Sequence, residues 1–505
     1  MKQVMQYASG ENTIFAVIMA ISLVCLLIPG TAYASKEIKD QDITRAIDSN
    51  LLWDDAVSSH LIDVQTTNGI VTLSGSVDTI LARDRAVKIV ESIKGVRSVV
   101  NRIEVRPVFV SDKEISKNVQ DALLLDPVTE SYQIDVKVKD GQVILSGKVE
   151  SWTERQIASQ LAKGVKGVKD VRNNIAILYA QKRSDYEITT EIKRRLHLDP
   201  FVNEALIQVQ VKDGAVDLSG GVGSLAEKSH AYADAWVAGV KSVNCDDLEV
   251  KWWLDDELKR EDKYTHKSDL ELEQAIKDAL LYDPRTFSFN VGVSVNNGIA
   301  TLTGIVDNLA AKNAAEQDAK NTIGVNSVYN LIKVRPENAP SDDKLKKDIT
   351  KAMADDPIVD RFDISVTVLN QKAYLYGIVD SAYEKVRAES VASSVDGIVD
   401  VSNNLTIRPF EWTWKSDDKI RSDIQSEYFW SFLVDGDDIN VSVVNGTAIL
   451  TGSVEDWSEY YAAIDNAFEG GALDVKTSLN VESADDAKTD GYYESPLWNF
   501  DYPLL

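Results

Sequence analysis

Six times along this chain a glycine closes an alternating apolar strand: Gly75, Gly147, Gly220, Gly304, Gly377 and Gly452. A second glycine follows each 19 or 20 residues later: Gly95, Gly167, Gly239, Gly324, Gly397 and Gly471. The period of 72 to 84 residues is longer than the roughly 20–50 residue unit of stacked solenoids. Each copy is therefore expected to fold around its own core, as a bead on a string. A chain of 505 residues is too long for one core and suits several small ones.

The second copy shows how one repeat is built. In Glu114–Leu124, the residues Ile115, Val119, Ala122 and Leu123 recur at helical spacing and give an amphipathic first helix. Asp126-Pro127 stops it, because the residue before proline is pushed out of helical geometry. The same Asp-Pro stands at 199–200, 283–284 and 356–357, and it is read as a helix stop. Ile134, Val136 and Val138 then alternate with polar residues, Asp140-Gly141 supplies a two-residue turn, and Val143, Leu145, Gly147 and Val149 form the returning strand. The turn is Asn68-Gly69, Asp213-Gly214, Asn297-Gly298 and Asn445-Gly446 in four other copies, and the weaker Asn370-Gln371 in the fifth. By alternation Gly147 lies on the buried face, so something must approach the backbone there. The second helix, with a stripe of Trp152, Ile157, Leu161 and Val165, is the expected neighbour. Gly167 ends that helix, and Val171, Ile175 and Ile177 make a third strand. The fold class is α+β: six tandem α-β-β-α-β domains, each a small three-stranded mixed sheet with two helices packed on it. The second helix makes a right-handed crossover if strands two and three run parallel; the pattern leaves the strand order open.

These residues resemble the BON (bacterial osmotically inducible and nodulation) domain family. The resemblance rests on the order of elements, the Asp-Pro, the Asn/Asp-Gly turn, the strand Val143-x-Leu145-Ser146-Gly147-x-Val149 and the later Gly167-Val168, repeated in register over most of 37–483. It implies a periplasmic, non-enzymatic module of the kind found in exported osmotically inducible proteins, associated with envelope stress, phospholipid attachment or the holding of client proteins. The first copy departs from the pattern with Trp53-Asp54-Asp55, the sixth with Val434-Asp435-Gly436, and the third carries Gly220-Gly221 and an inserted residue near Cys245. The expected boundaries are a signal peptide at 1–34, repeats at 35–109, 110–182 and 183–251, a linker at 252–267 that divides the array three plus three, repeats at 268–338, 339–410 and 411–483, and an acidic, aromatic tail at 484–505.

The apolar run Ile14–Ile28, then Pro29-Gly30 and Thr31-Ala32-Tyr33-Ala34-Ser35, reads as an export signal with an A-x-A cleavage site. The run is short for a bilayer span of about 20 residues, so cleavage near Ser35, with no integral span left afterwards, is the expectation. Beyond it one cysteine remains, Cys245, with neither a disulfide partner nor metal-ligand spacing around it. The net charge of −26 is unevenly placed: 10 basic against 11 acidic residues in 35–109, but 5 against 20 from 411 to 505. Such acidity argues against nucleic acid, which is bound by neutralising phosphates.

No motif for catalysis stands out. His60, His197, His230 and His266 are dispersed, no nucleophile elbow or phosphate loop occurs, and Asp435-Gly436-Asp437-Asp438 lacks the closing glutamate of a calcium loop. The expectation is a non-enzyme without metal or cofactor. Contact candidates are the junction aromatics Trp252, Trp253, Phe410, Trp412 and Trp414, and the tail residues Tyr492, Tyr493, Trp498, Phe500 and Tyr502. Three readings stay open: an envelope binding or scaffold protein engaging phospholipid or envelope components through repeated weak sites, a periplasmic holdase-type chaperone, and a passive spacer.

Overall fold

A computed structural model describes residues 38–481 apart from 55–56, 58–60, 127, 130–133, 180–181, 255–266, 284, 287–288, 326, 337–339, 360–362 and 409–414. In repeat two, a first helix (Asp112–Leu125) is capped by Ser111 and leads to a hairpin (Ile134–Lys139 and Gln142–Val149). A second helix (Trp152–Lys163) with a Ser151/Glu154 capping box and a closing strand (Asp170–Ile177) complete it. The second strand is central. It pairs antiparallel with the first and parallel with the third, and the same order recurs in the sheets of the other repeats. In repeat three the insertion at Cys245 splits the closing strand into Ser242–Asn244 and Leu248–Val250, and Cys245 packs half-buried against that repeat's core.

What approaches the strand glycines is not the helix. A Cβ on Gly75 would stand 1.9 Å from the carbonyl oxygen of Leu61, and one on Gly220 2.0 Å from that of Leu206. The crowding group is the backbone entering the first strand, and φ of +117° and +121° at these two positions requires glycine as well. The second helix instead meets the sheet through alanine: Ala86, Ala158, Ala231, Ala315, Ala388 and Ala463, at one helix position, are all 0% exposed. In repeat two Ala158 and Ala162 are the fully buried positions of the core face; Leu161 packs half-buried at its edge, Val165 lies in the core, and Ile157 is half-buried outside it. Small side chains let the helix axis come close to the sheet and free the larger ones for other contacts.

A second device recurs six times. The residue after the first helix's cap is always aspartate, and its two carboxylate oxygens accept the backbone N–H groups of the hairpin turn. Asp40, Asp112, Asp185, Asp269, Asp342 and Asp417 each make this pair of bonds, at 2.7 to 2.9 Å. In repeat five it holds Asn370 and Gln371, both left-handed at φ of 51° and 64°. The turn survives there without its glycine.

The Asp-Pro aspartates, and Asp54 at the matching place in repeat one, do more than stop a helix. Asp356 is buried and takes Arg387 Nε of the second helix at 2.8 Å; Asp54 pairs with Arg85, and Asp199 with His230 at 3.3 Å, from the same helix position. Asp126 caps the N–H of Val128 and Thr129. Asp54, Asp199 and Asp356 thus join the end of the first helix to the second helix packed over it, while Asp126 holds its own turn.

The repeats are not independent beads. The Lys94 N–H donates to the Trp430 carbonyl at 3.0 Å, joining repeat one to repeat six, and the Lys166 N–H donates to the Asp355 carbonyl at 3.0 Å, joining two to five. Both lysines precede a repeat glycine, so one contact is used twice. Arg194 meets Asp278 at 3.0 Å between repeats three and four. These pairings are nested: one with six, two with five, three with four. The cores also merge: Leu81 of repeat one and Leu309 of repeat four sit in the core of repeat five. The second helix of repeat six, Trp457–Glu469, is buried at every residue from Ser458 to Ala467, as befits a helix enclosed on all sides.

Candidate functional site

The second helices face one another, and their outer residues build the junctions. Arg85 joins three repeats: it pairs with Asp54, lies 4.0 Å from Glu469 of repeat six and stands 4.4 Å over the Tyr383 ring of repeat five. Trp152 of repeat two stacks on Trp236 of repeat three at 6.1 Å and 8°, with Tyr232 edge-on to both. Between the helices lies a cavity of about 270 Å³ lined from repeats one, two, three, four and six. Its walls mix alanine and aromatic side chains with polar and charged ones, among them Lys88, Glu91, Asp318 and Asp465.

Burial dominates the electrostatics. It pushes the Glu91 carboxyl up to about 7, against the pull of Lys88 and His230. Glu427 rises to about 8, through burial and then the nearby Glu469, itself raised to about 7. Burial also holds Asp318 and Asp465 well above the carboxylate range, reinforced by Asp283 and Glu469 respectively. These junctions gather acid groups away from water with too few bases to match them.

Outside, a different set recurs. At the last position but one of the first helix stand Leu52, Leu124, Leu281 and Phe429, 46 to 62% exposed. They lie off the apolar stripe that faces each core.

A family model described as "BON domain" matches residues 39–107, 111–179, 184–251, 268–336, 341–409 and 416–480. The chain belongs to the BON domain family. Among curated relatives, "Osmotically-inducible protein Y" of Escherichia coli (strain K12) is 33% identical over 143 residues, 27% of this chain and 71% of that protein. "Outer membrane lipoprotein DolP" of Haemophilus influenzae is 28% identical over 139 residues, 26% of this chain and 72% of that protein. A solved structure of CdsD, a structural protein of the Type III secretion system of Chlamydia trachomatis, covers 45% of this chain and 94% of its own at 15% identity; with a TM-score of 0.13 it adds nothing to the fold assignment.

Within the BON domains, the second set of glycines lies beyond the second helix, where positive φ and the first helix leave no room for a side chain: a Cβ on Gly167 would meet Val110 at 2.7 Å, and one on Gly397 Pro340 at 2.6 Å. Trp252 and Trp253 come together edge-to-face at 6.1 Å, and Trp253 is exposed. The signal segment 1–34, most of the linker, Phe410, Trp412, Trp414, and the tail with Tyr492, Tyr493, Trp498, Phe500 and Tyr502 lie outside the described residues. Asp435 accepts the Asp437 N–H at 3.1 Å, and among the described residues no group of three or more His, Cys, Asp or Glu is placed to hold a metal ion. Among the same residues no helix is long and apolar enough to cross a membrane. The sequence reading missed the turn-holding aspartates, the helix alanines and the exposed first-helix residues. All three were available as fixed offsets from the repeat glycines.

Proposed function

We propose that this chain is an exported, non-enzymatic binding or scaffold protein of the bacterial envelope, resident in the periplasm, that attaches to phospholipid membrane or envelope components through repeated weak sites. The observation that carries this is the outward apolar position on the first helices of repeats one, two, four and six. Isolated exposed leucines are ordinary on protein surfaces; one at the same position of four copies is a repeated contact. Weak sites held on one frame gain apparent affinity whenever several engage together. The nested packing keeps them at fixed separations, which favours a binding particle over an extended spacer. The kinship with an outer membrane lipoprotein and an osmotically-inducible protein supports the envelope setting.

The test is co-sedimentation of the chain with zwitterionic and anionic vesicles at low and moderate salt, beside a variant with Leu52, Leu124, Leu281 and Phe429 all changed to Ser. Binding that the variant loses supports the proposal. Absence of binding to either vesicle sinks the lipid reading. Suppressed aggregation of unfolded outer-membrane proteins would then favour the holdase alternative, in which the acidic surface keeps clients soluble.

A further inference from the structure

The six repeats share a core pattern but not an outer surface. On each sheet the side chains that face away from the helices come from alternate positions. Repeat two places Lys137, Lys148 and Arg172 there, and repeat one Asp63, Arg102 and Glu104, all exposed. Repeat five differs. Its central strand, Lys372–Val379, turns Tyr374, Tyr376 and Ile378 outward, while Ala373, Leu375 and Val379 enter the core. Tyr376 is 48% and Ile378 52% exposed, and Tyr374 is half-buried. Repeat one carries Thr72, Ser74 and Ser76 at the same positions. Single exposed apolar residues are ordinary; three in a row along one strand form a surface that marks a contact.

The flanks of that row narrow its chemistry. Strand register sets Thr367 and Ser402 on either side of Tyr374, and Ser365 and Asn404 on either side of Tyr376. Short hydroxyl and amide groups therefore border both rings. Charge is confined to the ends: Lys372, 5.6 Å from the Tyr374 ring centre, pairs with Asp400 at 2.5 Å beside the hairpin turn, and at the other end Arg408 lies 3.5 Å from Asp380, with the exposed Asp363 ahead of the first strand. On a chain of net charge −26, this uncharged stretch matches an uncharged occupant. A purely apolar one would strip water from the bordering hydroxyls and return no hydrogen bond. A hexose ring with equatorial substituents answers both demands. Its axial C–H groups make an apolar face that lies flat on an aromatic ring, and its hydroxyls project from the rim toward the flanking oxygens and nitrogens. Side chains two apart on a strand are about 6.6 Å apart, so Tyr374 and Tyr376 present their rings to successive parts of one extended saccharide.

We propose that the outer sheet face of repeat five binds a β-linked hexose chain, its rings stacked along Tyr374 and Tyr376 and its hydroxyls hydrogen-bonded to Ser365, Thr367, Ser402 and Asn404. The surface is separate from the first-helix contacts proposed above: it lies on the sheet, and repeat five carries Ala354 where four other copies place an exposed leucine or phenylalanine.

The test titrates cellohexaose and chitohexaose, which share equatorial β-linkages and differ at one ring substituent, into the full chain by calorimetry, with saturation-transfer NMR observed on the sugar. The expected result is saturable binding of at least one of them, with the strongest transfer at the axial ring C–H groups. The double variant Tyr374→Thr/Tyr376→Ser gives this strand the outward residues of repeat one and leaves the sheet able to fold, as circular dichroism should confirm; it should weaken binding by about tenfold or more. The variant lacking the exposed residues of the first helices should bind the saccharide as the wild type does. No binding of either saccharide, or binding unchanged in the double tyrosine variant, would overturn the proposal. So would sedimentation showing that the wild-type chain dimerises and the double variant does not, because a second copy would then cover this face.

Discussion

Replacing Glu427 by Gln should make the junction between repeats one and six more stable at alkaline pH and leave it unchanged at acid pH. Glu427 is 7% exposed, hydrogen-bonds Asn50 of repeat one, and is raised from 4.5 to about 8 by burial and by Glu469. Between those two values the folded chain holds the proton and the unfolded chain does not. Stability from this group is therefore complete below about pH 4.5, falls as pH rises, and is lost by about pH 8. At about 1.4 kcal/mol per unit the span is worth at most about 5 kcal/mol. Relaxation of the interface and entering water reduce the expected effect to about 2 kcal/mol. Glutamine cannot ionise, so the variant escapes the loss. The reporter is hydrogen exchange at Lys94, whose amide bonds the Trp430 carbonyl across this junction. At about pH 5 variant and wild type should be protected equally; near pH 8.5 the variant should be better protected by a factor of about thirty, once exchange is corrected for the intrinsic effect of pH. Parallel pH profiles, or equal destabilisation at both ends, would refute the reasoning.

Arg85→Ala should cost about 3–5 kcal/mol, because it leaves Asp54 and Glu469 buried without their base, and chemical denaturation should show the first and last repeats unfolding earliest. Ala388→Leu, at a fully buried contact between helix and sheet, should destabilise repeat five by about 1–3 kcal/mol through overpacking, read as faster proteolysis there. Asp342→Ala removes two charge-assisted bonds from the Asn370-Gln371 turn and should cost about 2–3 kcal/mol. Adding Gln371→Gly should recover about 1 kcal/mol of that by relieving the left-handed residue, with hydrogen exchange across 365–379 as the measure.

Local order was legible where it depends on neighbours in sequence. Alternation in Ile134–Val138 and Val143–Val149 announced the hairpin, Asp140-Gly141 its turn, and Ser151 with Glu154 starts the second helix as a capping box. The apolar stripe on the second helix holds for Val165 and Leu161, which pack in or against the core, and misses the alanines because size is a poor mark of burial. Ile157 and Leu161 are the larger residues, but the fully buried positions are Ala158 and Ala162. The glycine argument failed in a similar way. A close approach was correctly inferred at Gly75 and its equivalents, yet alternation cannot say which backbone approaches, and the carbonyl of Leu61 lies on the hairpin partner already in hand.

The nested order was beyond periodicity because a repeat looks the same whether its neighbour in space is the next copy or the last. Departures from the repeat carry that information. Arg85 and Arg387 share one helix position and both answer an aspartate at the end of their own first helix. Glu469 and Tyr383, which also meet Arg85, belong to repeats distant in sequence. Acids on the second helices follow the same logic. Asp318 and Asp234 occupy one position of the second helix, where three other copies carry Ile89, Leu161 and Val391. An acid at a site that three sister copies fill with an apolar side chain costs stability in any domain that folds alone. Here it stands where several copies meet, so the junction between the repeats, and not any single BON domain, is where this array departs from the sum of its parts.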